Sequence, residues 1–235
     1  MSFGAGWYPV ALSNGLETGR SAGTRLFDRE LCIWRDANGM AHAWEDRCPH
    51  RGMRLSFGFV RGDRIACLYH GWQYDTQGHC RFIPAHPDLD VPDTIGVATY
   101  TCTERLGMLW VYSDREVETP PDLPIGPREI VPVRSLYVDC KPAAVMQALA
   151  ARSKNIGSAG VTLLSLDADG RDLLTGIQPY GEVKTALHMV LPGDPGVNRG
   201  AVRHAAAAWA EGLRRCLEQG TEQIAERAAT HEVAP

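Results

Sequence analysis

No stretch of this 235-residue chain approaches the roughly 18 consecutive apolar residues that a membrane span needs. No run of Lys or Arg interrupts its mild acidity, a formal net charge of −4, so nothing electrostatic points to nucleic acid. The opening Met1-Ser2-Phe3-Gly4-Ala5-Gly6-Trp7 has neither a basic flank nor an apolar stretch. No signal peptide is therefore expected, and the default location is the cytoplasm. An even set of cysteines is lacking too. The seven are Cys32, Cys48, Cys67, Cys80, Cys102, Cys140 and Cys216, and an odd count without a secretion signal argues against a disulfide framework. Cys32, inside Leu31-Cys32-Ile33-Trp34, reads as a small apolar residue in a strand. Cys80, Cys102, Cys140 and Cys216 have no His or Cys at metal-ligand spacing and read as structural.

What is present is an ordinary globular composition, 44% hydrophobic and 22% charged. Before residue 113 no amphipathic helix is legible. Short apolar or alternating runs predict strands at Trp7–Ala11, Thr24–Phe27, Leu31–Arg35, Ala41–Glu45, Arg64–Ala66, Gly96–Thr99 and Met108–Val111. Turn formers separate them, as in Asp36-Ala37-Asn38-Gly39 and Asp75-Thr76-Gln77-Gly78. Residues 1–115 are therefore expected to form an all-β domain. Residues 116–133 hold five prolines and are expected to be an extended connector. Residues 134–235 read as a small α+β domain. Its expected elements are a strand at Arg134–Asp139, a helix at Ala143–Arg152, and strands at Val161–Leu166, Asp172–Ile177 and Glu182–Leu191. A long helix should follow from about Arg199, with Val202, Ala206, Trp209, Leu213, Cys216 and Leu217 on one face. Gly220 is expected to interrupt it, and its end to fray from about Thr230.

The chemistry lies in two pairs. Cys48-Pro49-His50 is followed, after sixteen intervening residues, by Cys67-Leu68-Tyr69-His70. Two cysteines and two histidines can bind zinc or an iron–sulfur cluster. A common zinc arrangement pairs Cys with Cys and His with His. Here each pair mixes one of each, which suits a 2Fe–2S rhomb held between two loops. The thiolates of Cys48 and Cys67 would hold one iron, the imidazoles of His50 and His70 the other. Replacing two thiolates by neutral imidazoles removes negative charge, and so lifts the potential above the roughly −400 mV of all-cysteine plant-type ferredoxins.

The flanks read Cys48-Pro49-His50-Arg51-Gly52-Met53-Arg54 and Cys67-Leu68-Tyr69-His70-Gly71-Trp72-Gln73-Tyr74-Asp75. With Gly6-Trp7-Tyr8-Pro9-Val10 before them and Leu106–Val111 after, they resemble the Rieske domain of Rieske non-haem iron oxygenases, the large subunits of ring-hydroxylating and demethylating enzymes. The resemblance covers roughly Trp7 to Asp114. It implies one 2Fe–2S cluster on Cys48, His50, Cys67 and His70. Rieske proteins of respiratory complexes carry an extra cysteine in each loop; none stands here, which favours the disulfide-free branch. Gly52 and Gly71 are expected to let the backbone approach the cluster. Trp72 is expected to cover it from the protein side, and Asp46, Arg51 and Tyr69 to orient the loops or tune the site.

The family's oxygen-activating centre is a mononuclear Fe(II) on two histidines and a carboxylate. Its motif, Asn-x-x-Asp-x-x-His-x₄-His, is missing after residue 115, where only His188, His204 and His231 occur. Segments such as Val138–Lys141 and Thr175–Met189 resemble parts of the family's catalytic domain, which implies an abbreviated version of it. Three readings follow. The first is an electron-transfer component that takes electrons from a reductase or ferredoxin and passes them to a mononuclear-iron centre on a separate oxygenase chain, for hydroxylation or demethylation of a small aromatic or heterocyclic molecule. The second is a complete oxygenase with an unconventional iron site built from His188, His204 and Glu182 or Glu211. The third is a ligand-binding or redox-sensing module. The resemblance implies an oligomer, and neither nucleic acid nor membrane is an expected partner.

Overall fold

The computed structural model describes residues 4–114, 129–150, 153–156, 161–165, 172–193 and 196–231. Two compact units emerge, one carrying the strands up to Tyr112 and the other those from Ile130.

The first unit is built from three antiparallel sheets. Strands β1 (Trp7–Leu12), β11 (Met108–Tyr112) and β10 (Cys102–Arg105) form one, in the order β1-β11-β10. β11 is its central strand, and all five of its residues are buried. The second runs β2 (Ser21–Leu26), β3 (Arg29–Arg35), β4 (Ala41–Glu45), β9 (Thr99–Tyr100). The third runs β5 (Phe59–Arg61), β6 (Arg64–Ala66), β7 (Gln73–Asp75), β8 (Cys80–Phe82). Trp34 and Trp44, neighbours across the β3–β4 ladder, pack edge-on at 4.9 Å. Around them lies a core that includes Cys32, Leu55, Ile65, Tyr74, Cys80 and, with them, Cys48 and Cys67. The sulfurs of the two ligand pairs are thus rooted in the hydrophobic interior of this unit.

The second unit is a five-stranded antiparallel sheet with two helices. Its order is β12 (Ile130–Val138), β16 (Thr185–Pro192), β15 (Asp172–Pro179), β14 (Val161–Ser165), β13 (Ser153–Ile156). Helices α1 (Pro142–Ala150) and α2 (Arg199–His231) share a core with one face of the sheet. Leu136, Leu187, Met189 and Ile177 meet Val145 and Leu149 of α1 and Ala206, Ala210 and Leu213 of α2 there.

Several expectations need correction. The connector expected at 116–133 is already strand from Ile130, and Pro132 sits at the register shift that β12 makes against β16. A proline lacks the donor a regular ladder needs and is tolerated at such a bulge. Residues 116–128 lie outside the described residues. The strand expected from Glu182 begins at Thr185, because the Tyr180 N–H donates to the Lys184 carbonyl at 3.0 Å and closes a turn over Gly181–Val183. Helix α2 runs through Gly220 without a break. A glycine costs a helix about 1 kcal/mol relative to alanine, which neighbouring turns absorb. Its inward face is Val202, Ala206, Ala210, Leu213 and Leu217; Trp209 is half-buried and Cys216 exposed. Of the end expected to fray from Thr230, Thr230 and His231 are still helical; residues 232–235 lie outside the described residues, and so do 151–152 at the end of the first helix. Strands β5, β7, β8, β10 and β13, each three or four residues long, were not among the strands expected from the sequence.

Candidate metal centre

The two ligand loops are the same turn built twice. In the first, the Cys48 N–H donates to the Met53 carbonyl at 2.8 Å and the Gly52 N–H to the Cys48 carbonyl at 2.8 Å. In the second, the Cys67 N–H donates to the Trp72 carbonyl at 2.9 Å and the Gly71 N–H to the Cys67 carbonyl at 3.0 Å. Each turn closes on a glycine four positions after the cysteine. Gly52 has φ +72° and Gly71 φ +70°, a conformation that side chains disfavour. A Cβ on Gly71 would also stand 3.0 Å from Pro84 Cγ, close enough that the proline ring would have to give way by a few tenths of an ångström.

The turns sort the side chains by depth. Cys48 and Cys67 are buried, 2% and 4% exposed, whereas His50 is half-buried and His70 exposed. The two imidazoles face each other edge-on with centroids 4.6 Å apart. Trp72 lies flat on His50 at 4.3 Å and 4°. Tyr69, exposed, tilts over His70 at 3.9 Å. Both aromatics expected near the cluster therefore touch a histidine, Trp72 as a stacking plate rather than as a purely internal residue.

The inner end is polar toward sulfur. Burial pushes the Cys67 thiol up, while hydrogen bonds from the backbone amides of Tyr69 and His70 pull the other way and would favour a thiolate. The Tyr74 hydroxyl stands 3.1 Å from Cys48 Sγ. Burial, then this contact, raises the Tyr74 phenol, which keeps it a donor. Tyr74 was not singled out from the sequence. Its signal was its place in the strand that leaves the second loop, four residues after His70.

These features fit a 2Fe–2S cluster. The donor set is two sulfurs at the inner end and two ring nitrogens at the outer end. Among the described residues no three His, Cys, Asp or Glu converge as the ligands of one ion. A two-iron unit asks instead for two pairs, one per iron.

The first loop is anchored by Asp46, which is 3% exposed. Its carboxylate accepts the Ser56 N–H at 2.7 Å and the Ser56 hydroxyl at 2.6 Å. The two residues bracket the whole loop, so Asp46 fastens its entry to its exit. Cys80 is buried in the same core, and burial pushes its thiol up. Arg51 is exposed, and its charge helps lower the His50 imidazole, after burial and His70.

The residues weighed for a second iron are not brought together. His188 is 1% exposed, with Nδ1 2.8 Å from Ser135 Oγ and Nε2 2.8 Å from Gln178 Oε1. Both ring nitrogens are thus occupied by hydrogen bonds, and burial lowers its pKa to about 4. His204 is exposed on α2. Glu211 is engaged by Arg214 at 2.5 Å and Arg134 at 3.7 Å. Glu182 lies in the turn before β16 and shares no strand face with His188. His231 closes α2, at residues whose side chains are not described.

Comparison with known proteins finds relatives for the part of the chain that carries these features. Residues 6–101 match the family model described as the Rieske [2Fe-2S] domain. The chain is 39% identical to the oxidoreductase NdmD of Pseudomonas putida over 121 residues, 51% of this chain and 20% of that protein. It is 36% identical to the methylxanthine N1-demethylase NdmA of the same species over 113 residues, 46% of this chain and 32% of that one. The chain thus spans a fifth to a third of the length of these relatives. A crystal structure of dicamba monooxygenase superposes with a TM-score of 0.74 at 17% identity, covering 98% of this chain and 90% of that one, which establishes a shared fold.

Proposed function

We propose that this chain, whose residues 6–101 match the Rieske [2Fe-2S] domain, is the electron-transferring component of a Rieske oxygenase system. The observation that carries the proposal is the depth gradient of the four ligands: buried Cys48 and Cys67, half-buried His50, exposed His70. A bound cluster supplies a one-electron couple. Cys48 and Cys67 would ligate the inner iron and His50 and His70 the outer one. The Tyr74 hydroxyl and the amides of Tyr69 and His70 offer hydrogen bonds to the sulfurs, which favour added negative charge. Trp72 and Tyr69 hold the imidazoles in place by stacking. His70 presents the outer edge to a partner, and the apolar core behind Cys48 and Cys67 keeps water from the inner edge.

The electrons would come from a reductase or ferredoxin and go to a mononuclear iron on another chain, for hydroxylation or demethylation of a small aromatic or heterocyclic molecule. In support, two of the residues weighed for an iron site in the second unit are committed elsewhere, His188 to Ser135 and Gln178 and Glu211 to arginines. The test is reconstitution. The loaded protein with a reductase should accept electrons in single-electron steps but form no product from oxygen and candidate aromatic or N-methylated substrates. Product formed stoichiometrically with oxygen uptake, by this chain alone, would overturn the proposal. It would favour the second reading, a complete oxygenase, which the shared fold with dicamba monooxygenase supports.

A further inference from the structure

Cys80 lies behind the candidate centre. It is fully buried in the core that holds Cys48, Cys67 and Tyr74, yet it belongs to neither ligand loop. Its place follows from the hairpin that leaves the second loop. β7 and β8 pair antiparallel, with Gln73 opposite Phe82 and Tyr74 opposite Cys80. Two steps along β8 therefore match one along β7, and Arg81 is the extra residue. Such a bulge re-aims the side chains beside it. Here Arg81 faces solvent, paired with Asp75 and Asp93 at 2.6 Å each, and Cys80 faces the core.

The hairpin holds Cys80 firmly. Just before it, the Asp75 carboxylate accepts the Gln77 and His79 N–H groups at 3.0 Å each. The Cys80 N–H donates to the Ile95 carbonyl at 2.8 Å, and its Sγ turns to the Phe82 carbonyl at 3.8 Å. Directly opposite residues of an antiparallel pair keep their Cβ atoms about 5 Å apart on one face, so Cys80 stands beside the root of the Tyr74 ring. The tip of that ring reaches to 3.1 Å from Cys48 Sγ. Burial raises the Tyr74 phenol most, then the bond to Cys48, then the charge of Cys48 and, after it, those of Cys80 and Cys67. Three sulfurs thus lie near one hydroxyl. Burial likewise pushes the Cys80 thiol up, so it stays neutral, a small apolar body rather than a charge.

We propose that Cys80 is a positioning residue: it buttresses the Tyr74 ring, sets the reach of its hydroxyl to Cys48, and through that bond sets the potential of the cluster. The proposal rests on the electron-transfer reading above and on its ligand set. A smaller side chain at this position lets the ring settle into the space left, and the hydroxyl draws away from the sulfur. A hydrogen bond weakens steeply with distance and angle, so a small movement of the ring is felt. The reduced cluster then loses a donor that supports its added negative charge.

The test is the midpoint potential of the loaded protein in wild type, Cys80→Ala, Cys80→Val, Tyr74→Phe and the double variant Cys80→Ala/Tyr74→Phe. Cys80→Ala should lower the potential toward that of Tyr74→Phe. In the Tyr74→Phe background the same substitution should add nothing, since no hydroxyl is left to place. Cys80→Val fills the space without a thiol and should keep the potential near that of wild type. Resonance Raman spectra of the oxidised proteins give a second reading: the iron–cysteine stretching bands should shift alike in Cys80→Ala and Tyr74→Phe. An unmoved potential in Cys80→Ala overturns the proposal. So does a shift of equal size with and without the Tyr74 hydroxyl, for Cys80 then acts on the cluster directly. A Cys80→Val potential as low as that of Cys80→Ala also overturns it, because the thiol itself would then be what counts. A wild-type protein that carries iron and labile sulfide but accepts no electron overturns the electron-transfer reading instead, while the Raman bands still decide the buttress.

Discussion

The Tyr74 hydroxyl lies 3.1 Å from Cys48 Sγ, inside the core that roots both ligand loops. A phenol donating to a metal-bound thiolate stabilises the more negative, reduced state. Tyr74→Phe removes the hydroxyl and little volume. The midpoint potential should fall by on the order of 50 mV, equivalent to about 1 kcal/mol for one electron. Protein-film voltammetry measures it; an unchanged potential would mean that the hydroxyl does not reach the ligand in the loaded protein.

His70 is the exposed imidazole of the pair. His70→Cys replaces a neutral ligand by a thiolate and adds negative charge at the outer iron. The potential should move down, toward the roughly −400 mV of all-cysteine clusters. Electron transfer to the acceptor that the wild-type protein serves should stall. Redox titration followed by visible absorption reads both; a potential unmoved by the substitution removes His70 from the ligand set.

Asp46 ties the two ends of the first loop through Ser56. Asp46→Ala strands a buried N–H and hydroxyl, a cost of about 2–3 kcal/mol. Ser56→Ala removes one of the two bonds and should cost about half as much. Thermal unfolding of the loaded proteins should rank wild type above Ser56→Ala above Asp46→Ala, with cluster retention in the same order. Equal stabilities would show that the loop is held by other contacts.

His188 gives the second unit a pH dependence. Burial lowers its pKa to about 4 from the ordinary 6.5. The unfolded chain therefore binds more protons than the folded one between these values. Stability is full above about pH 6.5 and falls as the pH drops toward 4, by about 3 kcal/mol at pH 4. Urea titrations across this range should show the slope in wild type and lose it in His188→Gln. A slope that survives the substitution would assign the effect to other groups.

How much of this was legible in the sequence differs between the units. That Cys48, His50, Cys67 and His70 stand on two paired turns was legible, because two Cys–His spacings and the glycines behind them are local signals. The loops' common turn was half legible: Gly52 and Gly71 announced it, but the shared carbonyl partners, Met53 and Trp72, are a matter of backbone path. Asp46 stood out in the sequence but its partner Ser56 did not, and Tyr74 was missed, for no periodicity marks a partner that lies ten or more positions away. In the second unit, the strand faces around His188 were readable in outline. The turn at Gly181–Val183 was not, and it moved Glu182 off the strand that would have aligned it with His188. Ala210, fully buried on α2, was missed because Trp209 beside it reads as the inward residue of that turn.

The central claim is a two-iron cluster with mixed ligands on this chain. Its most direct test is iron and acid-labile sulfide per chain in the anaerobically reconstituted protein, read beside the EPR spectrum of the dithionite-reduced form. Two irons and two sulfides per chain are expected, with the spectrum of a 2Fe–2S centre bearing nitrogen ligands, lost on substitution of any of Cys48, His50, Cys67 or His70. A single zinc, or iron without labile sulfide, would contradict the account.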